Sequence, residues 1–144
     1  EMPSKMIEGM MNFTGLSGTF VSWYASFEIG RNRDMQTWLP QYSPYLEYIN
    51  THIFDLEKIF HSDYIDWRFN GSSSIKKVLP VLVPDLTYTE LDVQEGTAAM
   101  DVWERLVLKK EFEGAIEETR KSLLEYCKLD TLAMVEIYKY LYGL

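Results

Sequence analysis

A single short segment with the composition of a β-strand restricts what this chain can fold into. Residues 19–23 are rich in β-branched and aromatic side chains, and the segment is too short to form a helix. Helical spacing of apolar residues dominates elsewhere and begins again directly after this segment. We therefore predict a helix-rich α/β fold in which a helix follows the strand at once.

The other segments divide at turn-forming residues. Five helices are predicted by apolar spacing, over residues 4–16, 27–39, 75–82, 97–107 and 116–141. A further helical pattern starts at Ser43 and continues through Phe60. The serines of the loop at 70–74 can cap the helix that follows, and residues 87–93 are predicted to be extended or irregular.

The composition favours one folded domain and disfavours general electrostatic binding of polyanions. The 144 residues fit a single domain, and 47% hydrophobic residues supply enough apolar surface for a core. The net charge of -8 provides no overall attraction to nucleic acid or to an anionic membrane. A substrate that carries phosphate would need a local basic patch or bound cations.

The chain carries one cysteine and no obvious targeting segment. Cys127 cannot form an internal disulfide, and its apolar neighbours predict a buried thiol in a reducing compartment. No apolar run approaches the roughly 20 residues that span a bilayer, and the first residues do not resemble a secretory leader. We expect a cytoplasmic protein without a membrane partner. The first residue, Glu1, leads us to expect a piece of a longer protein.

Tyr126 and Asp130 lie four residues apart within the predicted C-terminal helix. At this spacing both side chains leave one helix face and can reach one small object. One interpretation makes the tyrosine a partly buried ring and the aspartate a surface charge or a cap. The other starts from the apolar neighbours Leu129 and Leu132, since a carboxylate buried among them needs a partner or a metal.

Glu28 is a second candidate carboxylate, because it follows closely on the predicted strand. The simpler interpretation places it in the first turn of a helix, where the helix dipole favours an acid. The functional interpretation places it near the end of a strand, at the crevice where open α/β sheets bind ligands. Together with Tyr126 and Asp130, Glu28 suggests half of a metal site.

The order of these residues resembles that of the DEDD-type 3′-5′ exonucleases of the ribonuclease H-like fold. Ser26-Phe27-Glu28 is similar to their second motif, and Tyr126 to Asp130 to their third, Tyr-x-x-x-Asp. Asp55-Leu56 lies between the two, and residues 71–80 and 124–134 resemble a bacterial branch of uncharacterised function within the superfamily. The resemblance extends over nearly the whole chain.

The chain departs from this family at two places. Trp23-Tyr24 stands where relatives of this branch usually have Tyr-Asn. The first motif of the family, an Asp-x-Glu pair on the opening strand, is absent from residues 1–18. By resemblance, residues 1–144 are therefore a single partial domain, the C-terminal portion of a ribonuclease H-like fold that lacks its opening strands.

The resemblance implies phosphodiester hydrolysis by two metal ions on a single-stranded 3′ end of DNA or RNA. Glu28 and Asp130 would bind Mg²⁺ or Mn²⁺, and the Tyr126 hydroxyl would orient the attacking water. Since four carboxylates normally hold the two ions, we expect cation binding to be weak or absent in this fragment, and the fragment to be inactive.

Six residues are candidates for substrate contacts, either as cations or as rings that stack on bases. Their alternative roles are solvated surface charges and core aromatics. These candidates are Arg31, Arg33, Lys76, Lys77, Trp23 and Tyr24.

Two other functions remain open from the sequence. Without its opening strands, the fold would leave an exposed edge on the strand at 19–23, and this edge could pair with another chain or another copy. The chain would then be a catalytically silent protein-binding or assembly module. A helical regulatory domain would be favoured if Glu28 and Asp130 were more than about 15 Å apart, since no two-metal cluster spans that distance.

Overall fold

A computed structural model describes residues 2–88, 96–105 and 116–143. The chain divides into two compact units, Glu1–Asp66 and Trp67–Leu144. Six α-helices and two short β-strands are present among the described residues, so the helix-rich α/β prediction is confirmed. The prediction of a single partial domain over residues 1–144 stays a prediction.

Helix α1, Met2–Thr14, opens the first unit as its apolar spacing predicts. Ile7 is fully buried in a cluster with Tyr45, Leu46 and Ile49. The helix ends at Gly15, whose backbone N–H donates to the Met11 carbonyl at 2.9 Å. Gly15 has a φ of 61°, a left-handed conformation that favours glycine and stops the helix there.

Strand β1, Phe20–Ser22, confirms the predicted strand and pairs in parallel with β2, Ile53–Asp55. The prediction that helical spacing continues through residues 53–60 is wrong over β2. A short run of apolar residues fits a buried strand as well as a helix, and here pairing with β1 decides between the two. A π-helical turn, Ile59–Asp63, follows β2.

Two helices connect the paired strands. Helix α2, Ala25–Trp38, is followed by a 3₁₀ turn at Pro40–Tyr42 and by helix α3, Ser43–Thr51. Proline after α2 ends that helix, while Pro44 in the first turn of α3 suits a helix start. Asn32 on α2 donates from Nδ2 to Oδ1 of Asn50 on α3 at 2.9 Å, which joins the two helices.

The second unit contains three α-helices among its described residues. These are α4, Ile75–Leu82; α5, Gly96–Trp103; and α6, Ile116–Tyr142. Helix α4 packs against α6, and Val78, Leu79, Ala133 and Ile137 are fully buried. Residues 89–93 of the predicted irregular stretch and residues 106–107 of the predicted helix lie outside the described residues.

The loop before α4 forms its turn without the predicted side-chain cap at the helix start. Ser74 makes no side-chain cap hydrogen bond, and its carbonyl accepts from the backbone N–H of Val78 at 3.0 Å. The Ser72 hydroxyl instead accepts from the Ser74 N–H at 3.2 Å. Proline at position 80 lies inside α4, and the helix ends two residues later at Leu82.

Among the helices that the structure describes, none has both the length and the apolar composition needed to span a bilayer.

The buried position of Ile7 predicts a large effect of its truncation on stability. Ile7→Ala should lower the free energy of unfolding by about 2–5 kcal/mol, because the cavity costs contacts as well as apolar burial. The neighbouring residue Met6 is 51% exposed, and Met6→Ala should change stability by less than about 0.5 kcal/mol. Urea unfolding followed by circular dichroism measures both, and equal effects would contradict the described packing of α1.

Candidate functional site

Helix α6 carries Tyr126 and Asp130 within its regular length, as predicted. Tyr126 is buried at 8% exposure, and Asp130 is partly buried one turn later. The sequence predicted that both side chains could reach one small object. In the structure that object is the aromatic side chain of Tyr88.

The Tyr88 hydroxyl donates a hydrogen bond to Oδ1 of Asp130 at 2.6 Å. The rings of Tyr88 and Tyr126 lie against each other at a tilt of 52°, with centroids 6.1 Å apart. A phenol therefore partners the Asp130 carboxylate and packs on the residue one turn before it. The sequence analysis missed Tyr88 because it lies 42 residues before Asp130, in a stretch without regular spacing.

Lys76, in the first turn of α4, completes this group. Its ammonium lies 5.7 Å from the centroid of the Tyr88 ring and 5.9 Å from that of Tyr126. Such distances allow an attractive cation–π contact with both rings. We refer to Lys76, Tyr88, Tyr126 and Asp130 as the phenol–carboxylate cluster. Lys77 is exposed one residue later, about 100° further around α4.

The surroundings of the cluster change the acidity of two groups. Burial raises the pKa of Tyr88 above its usual range, and the hydrogen bond to Asp130 and the charges of Asp130 and Tyr126 raise it further. Tyr88 therefore stays a neutral donor at physiological pH. The prediction of a buried Cys127 is wrong, since the residue is exposed on α6. Partial desolvation, then the nearby Asp130 carboxylate, raise the pKa of its thiol.

Glu28 lies in the first turn of α2, in the first unit. Strand β1 ends six residues earlier at Ser22, so the structure places Glu28 where the simpler interpretation put it. The Glu28 side chain is exposed overall, but partial desolvation of the carboxyl raises its pKa. The helix start favours the charged carboxylate there, and desolvation opposes it.

Asp55 is the carboxylate at the end of the parallel strands. It is the last residue of β2, and its Oδ1 accepts from the backbone N–H of Tyr24 at 3.0 Å. Tyr24 precedes α2 in a left-handed conformation with φ 68°, which is uncommon for a residue that is not glycine. The hydrogen bond to Asp55 holds that conformation and so fixes where α2 begins.

Two adjoining clefts flank this end of the first unit. One has a volume of about 360 Å³ and is lined by polar groups that include Ser26, Asp55, Lys58 and His61, together with Tyr24. The other, about 480 Å³, shares Asp55 and Lys58 and is also lined by Asn50 and Asp63. The Asn50 Nδ2 atom is buried and makes no hydrogen bond in the part of the chain that the structure describes.

Two of the other predicted substrate contacts of the first unit, Trp23 and Arg31, have protein partners. Trp23 stacks on Phe60, with ring centroids 5.4 Å apart, as a core aromatic would. The guanidinium of Arg31 forms an ion pair with Asp34 at 3.0 Å and lies over the Phe27 ring. Arg33 is exposed on α2. Their substrate contacts stay predictions.

Among the described residues, no three His, Cys, Asp or Glu side chains form a group that could hold a metal ion. Glu28 belongs to the first unit and Asp130 to the second. The predicted metal site stays a prediction.

The two parallel strands and six helices define a helix-rich α/β protein. The chain belongs to the family described as "Domain of unknown function (DUF2779)", whose match covers residues 2–74 of the 144. That match covers residues 2–66 of the first unit and ends just before α4.

Two curated relatives come from mycoplasmas. The "Uncharacterized protein MG366 homolog" of Mycoplasma pneumoniae is 31% identical over 131 aligned residues, which cover 83% of this chain and 20% of that protein. The "Uncharacterized protein MG366" of Mycoplasma genitalium is 28% identical, over 97% of this chain and 23% of that protein. The chain thus spans about a fifth of the length of these relatives. No solved structure matches it.

The raised pKa of Tyr88 predicts a change of stability in alkali. A folded-state pKa above the unfolded value stabilises the fold at pH values below about 10, and the contribution is lost as the pH rises further. At pH 8, Tyr88→Phe should therefore lower the free energy of unfolding by about 1.5–3 kcal/mol. The difference in the free energy of unfolding between the unchanged protein and Tyr88→Phe should fall by about 1.4 kcal/mol per pH unit above pH 10. We call this difference the stability gap.

Urea unfolding of both proteins at pH 8 and pH 11 measures the stability gap. Tyr142→Phe is the control, because Tyr142 is 83% exposed on the same unit and its change should leave stability alone at both pH values. A stability gap that widens between pH 8 and pH 11 would be inconsistent with a buried Tyr88 hydroxyl on Asp130.

Proposed function

We propose that this chain is the C-terminal part of a metal-dependent 3′-5′ exonuclease-like nuclease that acts in the cytoplasm on single-stranded ends of DNA or RNA. The observation that carries the proposal is the phenol–carboxylate cluster, in which Tyr88 contacts both Asp130 and Tyr126 and the cation of Lys76 lies over the two rings. A phenol, a carboxylate and an ammonium in one cluster suit the handling of water and phosphate. The resemblance of Ser26-Phe27-Glu28 and of Tyr126 to Asp130 to exonuclease motifs supports the same conclusion.

The donor atoms of this chain fit Mg²⁺ or Mn²⁺ in kind. Carboxylate oxygens are the ligands that these hard cations prefer, and Glu28 and Asp130 would hold them. In number, two carboxylates fall short of a two-metal site. Bound cations would supply an activated water and a stabilised leaving oxygen. Further carboxylates would come from the rest of the longer protein, so we expect residues 1–144 alone to be inactive.

The chain's own residues would orient the reactants. The Tyr126 hydroxyl would hold the attacking water, since it lies one helical turn from Asp130. Lys76 would attract the phosphodiester, an effect that must be local because the chain has a net charge of -8. Lys77 would add a second cation from α4. Arg31 and Arg33, from the first unit, would also contact the phosphates of the nucleic acid. Tyr24 is 59% exposed and would stack on a base.

Loss of the Asp130 charge should abolish this activity. In the full-length protein with Mn²⁺, Asp130→Asn should reduce hydrolysis of 5′-labelled single-stranded DNA and RNA by more than the 10–100-fold typical of residues that only support a metal ligand. The amide has nearly the same shape as the carboxylate, so the change removes charge with little loss of packing.

Glu118→Gln is the matched control, because it removes an exposed carboxylate from the same helix. It should keep full activity. Products that shorten one nucleotide at a time from the 3′ end would distinguish the exonuclease from an endonuclease. Equal activity of Asp130→Asn and the unchanged protein would refute the proposal.

A second candidate function is a catalytically silent assembly module, and the exposed face of the sheet favours it. Val21 and Phe54 are paired in the parallel register, so they share one face of the sheet, and they are 39% and 43% exposed. In the described part of the chain, β1 and β2 pair only with each other, so each has a second edge without a strand. Such an edge beside apolar side chains suits pairing with another copy.

Light scattering over a range of concentrations tests this second candidate. If the sheet mediates assembly, the mass should exceed that of one chain, and Val21→Lys should return it to the monomer by placing a charge on the shared face. Phe13→Lys is the control, because Phe13 is 92% exposed on α1, away from the strands in sequence. A monomer at every concentration would argue against assembly through the sheet.

A further inference from the structure

Tyr88 holds the Asp130 carboxylate by a single short hydrogen bond. The Tyr88 ring is buried, at 7% exposure, and its hydroxyl lies 2.6 Å from Oδ1 of Asp130. Among the described residues, no second hydrogen bond to this carboxyl is seen. The hydroxyl has one proton to donate, so it engages one oxygen and leaves Oδ2 for another ligand.

The Tyr88 ring is itself fixed on two sides. It packs against the Tyr126 ring, and the Lys76 ammonium lies over it at 5.7 Å. A buried ring with two such neighbours has little freedom to move, so packing sets the position of its hydroxyl oxygen and the direction from which its hydrogen bond reaches Asp130. The orientation of the Asp130 carboxylate is set in turn by that bond.

From this geometry we infer that Tyr88 is a positioning residue, which orients Asp130 so that Oδ2 can bind a divalent cation. The inference rests on the proposed function, since it needs Asp130 to be a metal ligand. Carboxylates that ligate metals are themselves usually hydrogen-bonded, and loss of such a partner costs on the order of 10–100-fold in metal affinity or activity. Nothing in the sequence motifs marks Tyr88 for this role.

Binding of Mn²⁺ alone to the full-length protein tests the inference without relying on turnover. Free Mn²⁺ is followed by electron paramagnetic resonance during titration of the unchanged protein and of Tyr88→Phe. The variant keeps the ring and removes only the hydroxyl. Its dissociation constant for Mn²⁺ should rise on the order of 10–100-fold.

Tyr42→Phe is a matched control. The Tyr42 hydroxyl donates to the Glu8 carboxylate, so the change removes a phenol–carboxylate hydrogen bond from the first unit. Mn²⁺ affinity should stay at the level of the unchanged protein. Circular dichroism at the titration temperature shows that each variant is folded before its affinity is compared.

The Asp130→Asn background gives a second, independent measurement. If Tyr88 acts through Asp130, the effects of the two changes on Mn²⁺ affinity are not additive, and Tyr88→Phe adds nothing once the carboxylate is gone. Additive effects would overturn the inference, because Tyr88 would then act on binding by another route. This comparison holds even where Tyr88→Phe lowers stability.

The outcomes separate this inference from the proposed function. If Asp130→Asn weakens Mn²⁺ binding and Tyr88→Phe binds Mn²⁺ as tightly as the unchanged protein or more tightly, the positioning role fails while the nuclease proposal stands. If Asp130→Asn itself leaves Mn²⁺ binding unchanged, Asp130 is not a metal ligand and both fail. Weakening by both changes without additivity supports the inference.

Discussion

The parallel pairing of β1 with β2 is the constraint on which the first unit depends. Two parallel strands cannot be joined by a tight turn, so the chain must cross from the end of one strand to the start of the other. Residues 23–52 make that crossing through α2 and α3. Because the carboxyl ends of parallel strands meet at one edge, Asp55 comes beside the start of α2 and binds the Tyr24 N–H. The clefts lined by Asp55 exist for the same reason.

In the second unit, helix packing replaces strand pairing as the organising interaction. Ala133 and Ile137 of α6 and Val78 and Leu79 of α4 are fully buried, and the two helices pack together. This contact sets the rotation of α6 about its axis. Tyr126 lies seven residues before Ala133, two helical turns away, so it projects from nearly the same side of α6. The packing of α6 against α4 therefore also orients Tyr126. Lys76 is brought to the same cluster by the first turn of α4.

Local sequence patterns predicted most of the helices and the first strand. They failed where contacts between residues distant in sequence decide the secondary structure. Apolar spacing and the proline and glycine positions predicted α1, α2, α3 and α6, because those signals act within a few residues. At Ile53–Asp55 the same short apolar pattern suits two structures, and only the partner strand chooses between them. Cys127 has apolar neighbours in sequence, yet it faces outward on α6.

The candidate site was predictable only in its helical part. Four-residue spacing on a helix puts Tyr126 and Asp130 on one face, so those two residues could be paired from the sequence. Tyr88 could not, since no rule of spacing links an irregular stretch to a helix 42 residues later. The carboxylate at the end of the parallel strands is that of Asp55. Glu28 does not lie there, because β1 ends at Ser22 and α2 begins before Glu28.

The chemistry of the Tyr88–Asp130 pair separates what folding requires from what a reaction would require. A phenol also donates to an uncharged amide oxygen, but its hydrogen bond to a carboxylate is stronger, whereas a partly buried carboxylate costs more to desolvate than an amide does. The hydrogen bond therefore favours Asp at position 130, and desolvation favours Asn. In the proposed metal site the negative charge would bind a cation, and an Oδ2 oriented by Tyr88 would need little reorganisation to do so. The proposed role of Asp130 as a cation ligand therefore adds a reason for Asp at this position that the folding of α6 does not supply.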